Sequence, residues 1–148
     1  MNLSKQVKIS RHANAAAAAT TDVEPSSGVD MQGFEGVLFL VPFGAITGSA
    51  VTSIKAQQSD DNGVADGWSD IADSGVDVAD DDDNQIAYVD VYKPLKRYVR
   101  CVVDRGTQNA VVDGIVALQY EPRAKPVTHD ATTVVGGALV VSPDEGTA

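Results

Sequence analysis

The side chains able to do chemistry are few and far apart. The chain has two histidines, His12 and His129, and one cysteine, Cys101. Acyl transfer needs a nucleophile with a base beside it. His12 lies in an N-terminal stretch without sustained periodicity, and His129 lies in a C-terminal stretch just after Pro126. Neither has the pattern of a rigid core element, where a precise site is ordinarily built. The sequence contains no Gly-x-Ser-x-Gly elbow, no glycine-rich phosphate loop closing on Lys-Ser or Lys-Thr, and no His-x-x-x-His pair. A lone cysteine forms neither an intrachain disulfide nor a cysteine-built zinc site. Its setting, Tyr98-Val99-Arg100-Cys101-Val102-Val103, reads as a buried strand carrying a structural thiol. No enzyme, cofactor or metal site is expected.

Two oxygen-rich runs are the other candidates, Ser59-Asp60-Asp61-Asn62-Gly63 and Asp80-Asp81-Asp82-Asp83-Asn84. Calcium takes oxygen ligands from such loops, but neither run has the spaced ligands and closing glutamate of an EF-hand. The preferred reading is solvated acidic loops whose counter-charge comes from solvent ions or a basic partner. Trp68 could stack a sugar ring; a single tryptophan in a short strand beside two turns is read rather as a core plug or edge cover. Lys93, Lys96, Arg97, Arg100 and Arg105 form the one basic cluster. They pair with the acidic loops of their own chain or with an acidic neighbouring subunit; Arg97 and Arg100 are the two taken as partner contacts.

Charge limits the partners. The formal net charge is −10, which argues against a nucleic-acid backbone and against anionic membrane surfaces. The charge is also segmented. Residues 1–12 hold Lys5, Lys8 and Arg11 and no acid, whereas residues 56–92 hold eleven aspartates and no Lys or Arg. Five alanines after the basic N-terminal stretch do not make the apolar run of a signal peptide.

The elements that would position these groups are strands. Apolar residues make up 43% of the 148 and aromatics only 5%, with valine the main apolar type, and valine favours a pleated, half-buried surface. Phe34–Phe43 is apolar on both faces and is expected to be central. Further short strands follow at sandwich-like spacing: Ala50–Gln58, Gly67–Ala72, one at Val76 and Val78, Gln85–Tyr92, Arg97–Asp104 and Ala110–Glu121. Alternation selects Val37, Phe39, Val41, Ile54, Val89, Val99, Cys101, Val103, Val116 and Leu118 as core. The expected fold is an all-β antiparallel sandwich of jelly-roll or Greek-key type with extended terminal arms. Its parts are an arm over 1–19, the sandwich over 20–123 and an extension over 124–148. The arm is expected to bind a partner, with Val7 and Ile9 as apolar anchors and Lys5, Lys8 and Arg11 facing acidic groups. The alternative is that it lies along its own sandwich.

An ordered set of segments carries a resemblance. It runs from Val29-Asp30-Met31-Gln32-Gly33-Phe34-Glu35-Gly36-Val37-Leu38-Phe39 through Gly44-Ala45-Ile46-Thr47-Gly48, Lys55-Ala56-Gln57-Gln58-Ser59-Asp60-Asp61 and Trp68-Ser69-Asp70. It continues with Lys96-Arg97-Tyr98-Val99-Arg100-Cys101-Val102-Val103 and Ala117-Leu118-Gln119-Tyr120-Glu121-Pro122-Arg123. Over roughly residues 29–127 this resembles the small β-sandwich decoration, or cement, proteins of tailed-phage head-gene modules. The resemblance implies a virion protein made in the host bacterial cytoplasm and seated on the capsid exterior. It also implies the major capsid protein as partner and self-association as a homotrimer or homodimer. A neck or tail structural protein and a carbohydrate-binding module centred on Trp68 are the alternatives.

Overall fold

A computed structural model describes residues 1–141 and 144–147. It is nearly all strand. One long strand, β4 (Phe34–Ile46), organises the first sheet. Its inward residues Val37, Phe39, Val41 and Phe43 are buried, and its outward residues Leu38, Leu40 and Pro42 are half-buried. On one side it pairs antiparallel with β8 (Ile86–Tyr92). On the other side it pairs first with β11 (Ile115–Pro122) and then with β10 (Ala110–Val112). Outside these lie β1 (Lys8–Ala13) on β11 and β2 (Ala16–Ala19) on β10.

The second sheet is built on β9 (Tyr98–Thr107) and β5 (Val51–Ser59). β3 (Val29–Asp30) and an isolated bridge at Val23 flank β9. β6 (Ser69–Asp70) and β7 (Val76–Val78) flank β5. The two sheets share one core, in which Phe39, Val37 and Ile115 of the first meet Ile54, Val99, Cys101 and Val103 of the second. Small β-branched side chains fill it, as the low aromatic content requires.

The outer row of the first sheet and the row beside it are kinked at the same level. β1 passes to β2 at Asn14-Ala15, and β10 passes to β11 at Asp113-Gly114. Gly114 sits at φ +117°, where a Cβ would lie 3.0 Å from the Ala13 carbonyl oxygen. Only glycine allows both this backbone conformation and the close passage of the neighbouring strand.

Three expectations are corrected. Residues 1–19 are not an arm standing away from the domain. Lys8–Ala13 is hydrogen-bonded along β11, and Ala16–Ala19 along β10. A single helical turn, α1 (Leu3–Gln6), precedes them. Val116 and Leu118 are not core. The inward face of β11 is Ile115, Ala117 and Gln119, all buried, and a one-residue change of register turns every side chain of a strand to the other face. Finally, His12 stands on a paired strand, not on a loose segment. Of the extension expected over 124–148, Ser142, Pro143 and Ala148 lie outside the described residues. Residues 124–141 form no strand, so the apolar run over 133–141 has no ladder partner.

Phe39 is fully buried at the centre of β4. Phe39→Ala should therefore lower the unfolding free energy by about 3–5 kcal/mol in urea titration. A loss under about 1 kcal/mol would contradict its central place.

Candidate interaction surface

The sequence-expected binding residues fall into two groups with different fates. Arg97 projects from the turn before β9, and its Nε and Nη2 donate to the two carboxylate oxygens of Asp30 at 3.0 and 2.7 Å. Nη2 also donates to Gln32 Oε1 at 3.0 Å. The guanidinium lies over the Tyr98 ring, 5.1 Å from its centroid. Hydrogen bonding to Arg97 holds the Asp30 carboxyl below the usual range. Arg100 is buried. It donates from Nε to Gln57 Oε1 at 2.8 Å and from Nη1 to the Pro25 carbonyl at 2.7 Å, and it stacks 4.7 Å from the Trp68 centroid. Each of these two arginines, expected at a neighbouring chain, is engaged within its own chain; Arg100 is buried there, whereas Arg97 remains exposed.

The N-terminal candidates are dispersed by the alternation of β1. Val7 is buried. Lys8, with Ser10 and His12, turns toward the inner face, and its Nζ lies 5.9 Å from the Phe34 ring centroid. Ile9 and Arg11 turn outward. Their backbone N–H groups donate to His129 Nδ1 and Thr133 Oγ1, both at 3.1 Å. Lys5 is exposed at the end of the helical turn. Thus the five residues of the expected arm do not form one face. Lys5 and Arg11 are exposed cations, whereas Val7 is used in the fold.

His12 was not expected to matter, yet it ties the two sheets together. Its Nε2 accepts the backbone N–H of Cys101 at 3.2 Å, and its ring lies 5.0 Å from that of Phe39. On the flank of β9, the Cys101 amide falls between the Val23 bridge and β3, where no strand pairs with it. The imidazole takes the place of the missing strand. Because Nε2 accepts, the neutral ring carries its proton on Nδ1. Burial, followed by the positive charge of Arg100, pushes the His12 pKa down from 6.5 to about 4. Burial also pushes the Cys101 thiol up to about 12, so it is no nucleophile near neutral pH.

Arg105 is the second cross-sheet tie and was read only as one of a basic cluster. It is buried on β9. Its Nη1 donates to the carbonyls of Ala17 and Ala110, both at 2.8 Å, and its Nε donates to the Thr21 carbonyl. Its own amide donates to Asp22 Oδ1 at 2.7 Å.

The acidic loops are ordered by their own backbone. Asp61 accepts the N–H groups of Val64, Ala65 and Asp66, and Ser59 accepts that of Gly63 at 2.8 Å. Lys96 closes this loop on Asp66 at 2.6 Å. In the second run, Asp83 accepts the Ile46 amide at 2.7 Å and Asp82 the Ala79 amide at 2.9 Å. Among the described residues, no group of three His, Cys, Asp or Glu side chains is placed to hold a metal ion. No helix among them is long and apolar enough to cross a membrane.

Trp68 has one face under Arg100. Its ring edge packs so closely over Gly28 that a Cβ there would sit 2.6 Å away. The ring is half-buried against Gly28, Gly63 and Arg100 and stands outside the hydrophobic core cluster.

The chain was also compared with known proteins. It matches no family model, no curated protein and no solved structure. Function therefore rests on the chain's own chemistry and on the segments quoted above.

A depressed histidine pKa favours the folded state above pH 6.5, where both states are neutral at His12, and this contribution is lost as pH falls from about 6.5 toward about 4. The loss amounts to at most about 3 kcal/mol. Unfolding free energy should fall between pH 6.5 and pH 5, and His12→Gln should flatten that slope. Equal slopes in the two proteins would contradict the His12 assignment.

Proposed function

We propose that this chain is a non-enzymatic structural protein of a tailed-phage virion, a decoration protein that seats on the capsid exterior and stabilises contacts between coat subunits. One observation carries the reading. The separate segments that resemble that family, scattered along roughly residues 29–127, pack on one another in space. Arg100 reaches Gln57 and stacks on Trp68, and Gln57 donates to Asp70 at 2.7 Å. Lys55 pairs with Asp70 at 3.3 Å, Arg97 with Asp30, and Gln119 Nε2 donates to the Asp30 carbonyl at 2.7 Å. Side chains that share one packed cluster constrain each other, which is what a family pattern without a catalytic motif requires.

The jelly-roll reading is supported by the winding. Counted as eight rows along the chain, rows 1-8-3-6 make the first sheet and rows 2-7-4-5 the second. The row count joins β1 with β2, β10 with β11, β6 with β7, and Val23 with β3. Such double-layer windings occur in capsid and lectin domains. The lectin alternative is the weaker one here, because Arg100 and Gly28 already occupy the surface of Trp68 that a sugar would need. For capsid binding, the cations near the surface that lack a carboxylate partner among the described residues are Lys5, Lys8, Arg11 and Lys125 beside the first sheet and Lys93 near its end, and they suit acidic groups on the major capsid protein. A self-associated trimer or dimer would match the three-fold or two-fold positions of a shell.

Copy number on purified virions is the test. Quantitative mass spectrometry against the major coat protein should give a ratio typical of a shell component, amounting to hundreds of copies. A few to tens of copies would place the protein at the neck or tail, and absence from virions would overturn the reading.

A further inference from the structure

The two outer edges of the first sheet are finished differently. Along β1 the chain's own extension covers the edge. His129 and Thr133 accept the Ile9 and Arg11 amides, and the Val127 amide donates to the Lys5 carbonyl at 3.0 Å. Along β8 nothing does so among the described residues. The Phe43 amide donates to the Gln85 carbonyl, and the Lys93 amide to the Glu35 carbonyl. With the unbroken register between them, residues 85, 87, 89, 91 and 93 face β4. Ile86, Tyr88, Asp90 and Tyr92 therefore turn their main-chain groups outward. This bare edge is apolar: Ile86 and Tyr88 are each 62% exposed. A groove of about 380 Å³ opens between β8 and β7, lined by Phe43, Val76, Val78, Ile86, Ala87 and Tyr88.

Elsewhere the chain exposes a segment with the matching chemistry. Residues 131–143 contain no charged side chain, and Leu139, Val140 and Val141 are 46%, 62% and 78% exposed. We propose that residues 134–141 of one copy add as an extra strand to the β8 edge of a second copy, a main-chain mode of recognition with side-chain pockets for specificity. Eight extended residues span about 26 Å and the seven of β8 about 23 Å, so the lengths agree. Carboxylates select this occupant. Asp77 and Asp82 line the groove beside the edge, Asp90 lies on β8 itself, and Lys93 is the first cation after them. Two β8 edges repel each other, whereas an uncharged strand is tolerated.

Reach points to a second copy. Thr133 is held at β1, three strand spacings or about 14 Å from β8 across the sheet. Within one chain, that crossing uses about four or five extended residues, most of the apolar run. Between copies, the whole run can pair once Val134–Gly136 leave the groove that they line with Ile9, Pro42 and Val116 of their own chain. This contact joins unlike surfaces, so it gives a reciprocal pair or a ring where the rotation closes and an open filament where it does not. It holds whatever the protein decorates.

The test uses full-length chains. Sedimentation equilibrium across a concentration series should give a multiple of the 15.4 kDa chain mass. The pair Ile86→Lys with Tyr88→Lys should give monomer, and so should the pair Leu139→Asp with Val141→Asp. Mixed together, the first variant still donates a tail and the second still offers an edge, so they should form a one-to-one complex. A monomeric parent chain, an oligomer that survives either pair, or no complex on mixing would each overturn the proposal. A second measurement does not depend on the lysine variants folding. Equimolar chains carrying Tyr88→Cys and Val140→Cys, oxidised together, should yield the mixed disulfide dimer far above the 1:2:1 ratio of random pairing. That random ratio, or no mixed dimer, would also overturn the proposal.

Discussion

One strand of the second sheet ties down the segment from His12 to Pro25, whose own strands pair in the first sheet. Along β9, Arg100 takes the Pro25 carbonyl, the Cys101 amide takes His12, Val103 bridges to Val23, and Arg105 takes Asp22, Thr21 and Ala17. These contacts belong to the second sheet, yet His12 and Ala17 belong to the first. They are polar ties across an otherwise apolar sandwich. A buried guanidinium or amide without a partner costs several kcal/mol. Residues 8–22 are therefore needed by β9 as much as β9 is needed by them, and the core closes only when both are in place.

This arrangement uses up much of the positive charge. Arg100 and Arg105 are buried, Arg97 is matched to Asp30, and Lys96 to Asp66. The exposed surface is thus more acidic than a count of Lys and Arg near the sandwich suggests. The run Asp80–Asp83 faces solvent at the end of the sheets where β4 finishes, held by the Ile46 and Ala79 amides. Internal use of cations and external display of carboxylates together give a molecule with few free basic groups, among them Lys5, Lys8 and Arg11 at β1 and Lys93 beyond β8. A partner that recognises this protein electrostatically meets a molecule with two unlike ends.

The strands that alternate apolar and polar residues were legible in the sequence. Phe34–Ile46, Val51–Ser59, Ile86–Tyr92 and Tyr98–Thr107 follow the expected segments closely. β1 was not legible because its inward residues are Lys8, Ser10 and His12, which satisfy polar groups instead of filling apolar space. β2 is four alanines and carries no period at all. On β11 the apolar residues Val116 and Leu118 suggested the wrong face. The true inward face includes Gln119, whose amide is satisfied by the Asp30 carbonyl. Trp68, read as a core plug or edge cover on a strand, stands half-buried just before β6 and outside the core cluster. The roles of Arg97 and Arg100 depended on Asp30, Gln57 and Pro25, which are distant in sequence and become neighbours only once β9 is paired.

The most direct measurement of this account is amide hydrogen exchange at residues 8–19 in the free protein. If β9 holds the N-terminal segment in the sandwich, the amides of Lys8 and Ser10, which face β11 across a paired register, should exchange as slowly as those of β11 itself, in the same cooperative unit. Exchange of Lys8 and Ser10 at the rate of an unfolded chain, with β4 and β11 still protected, would contradict it and return the segment to a free arm.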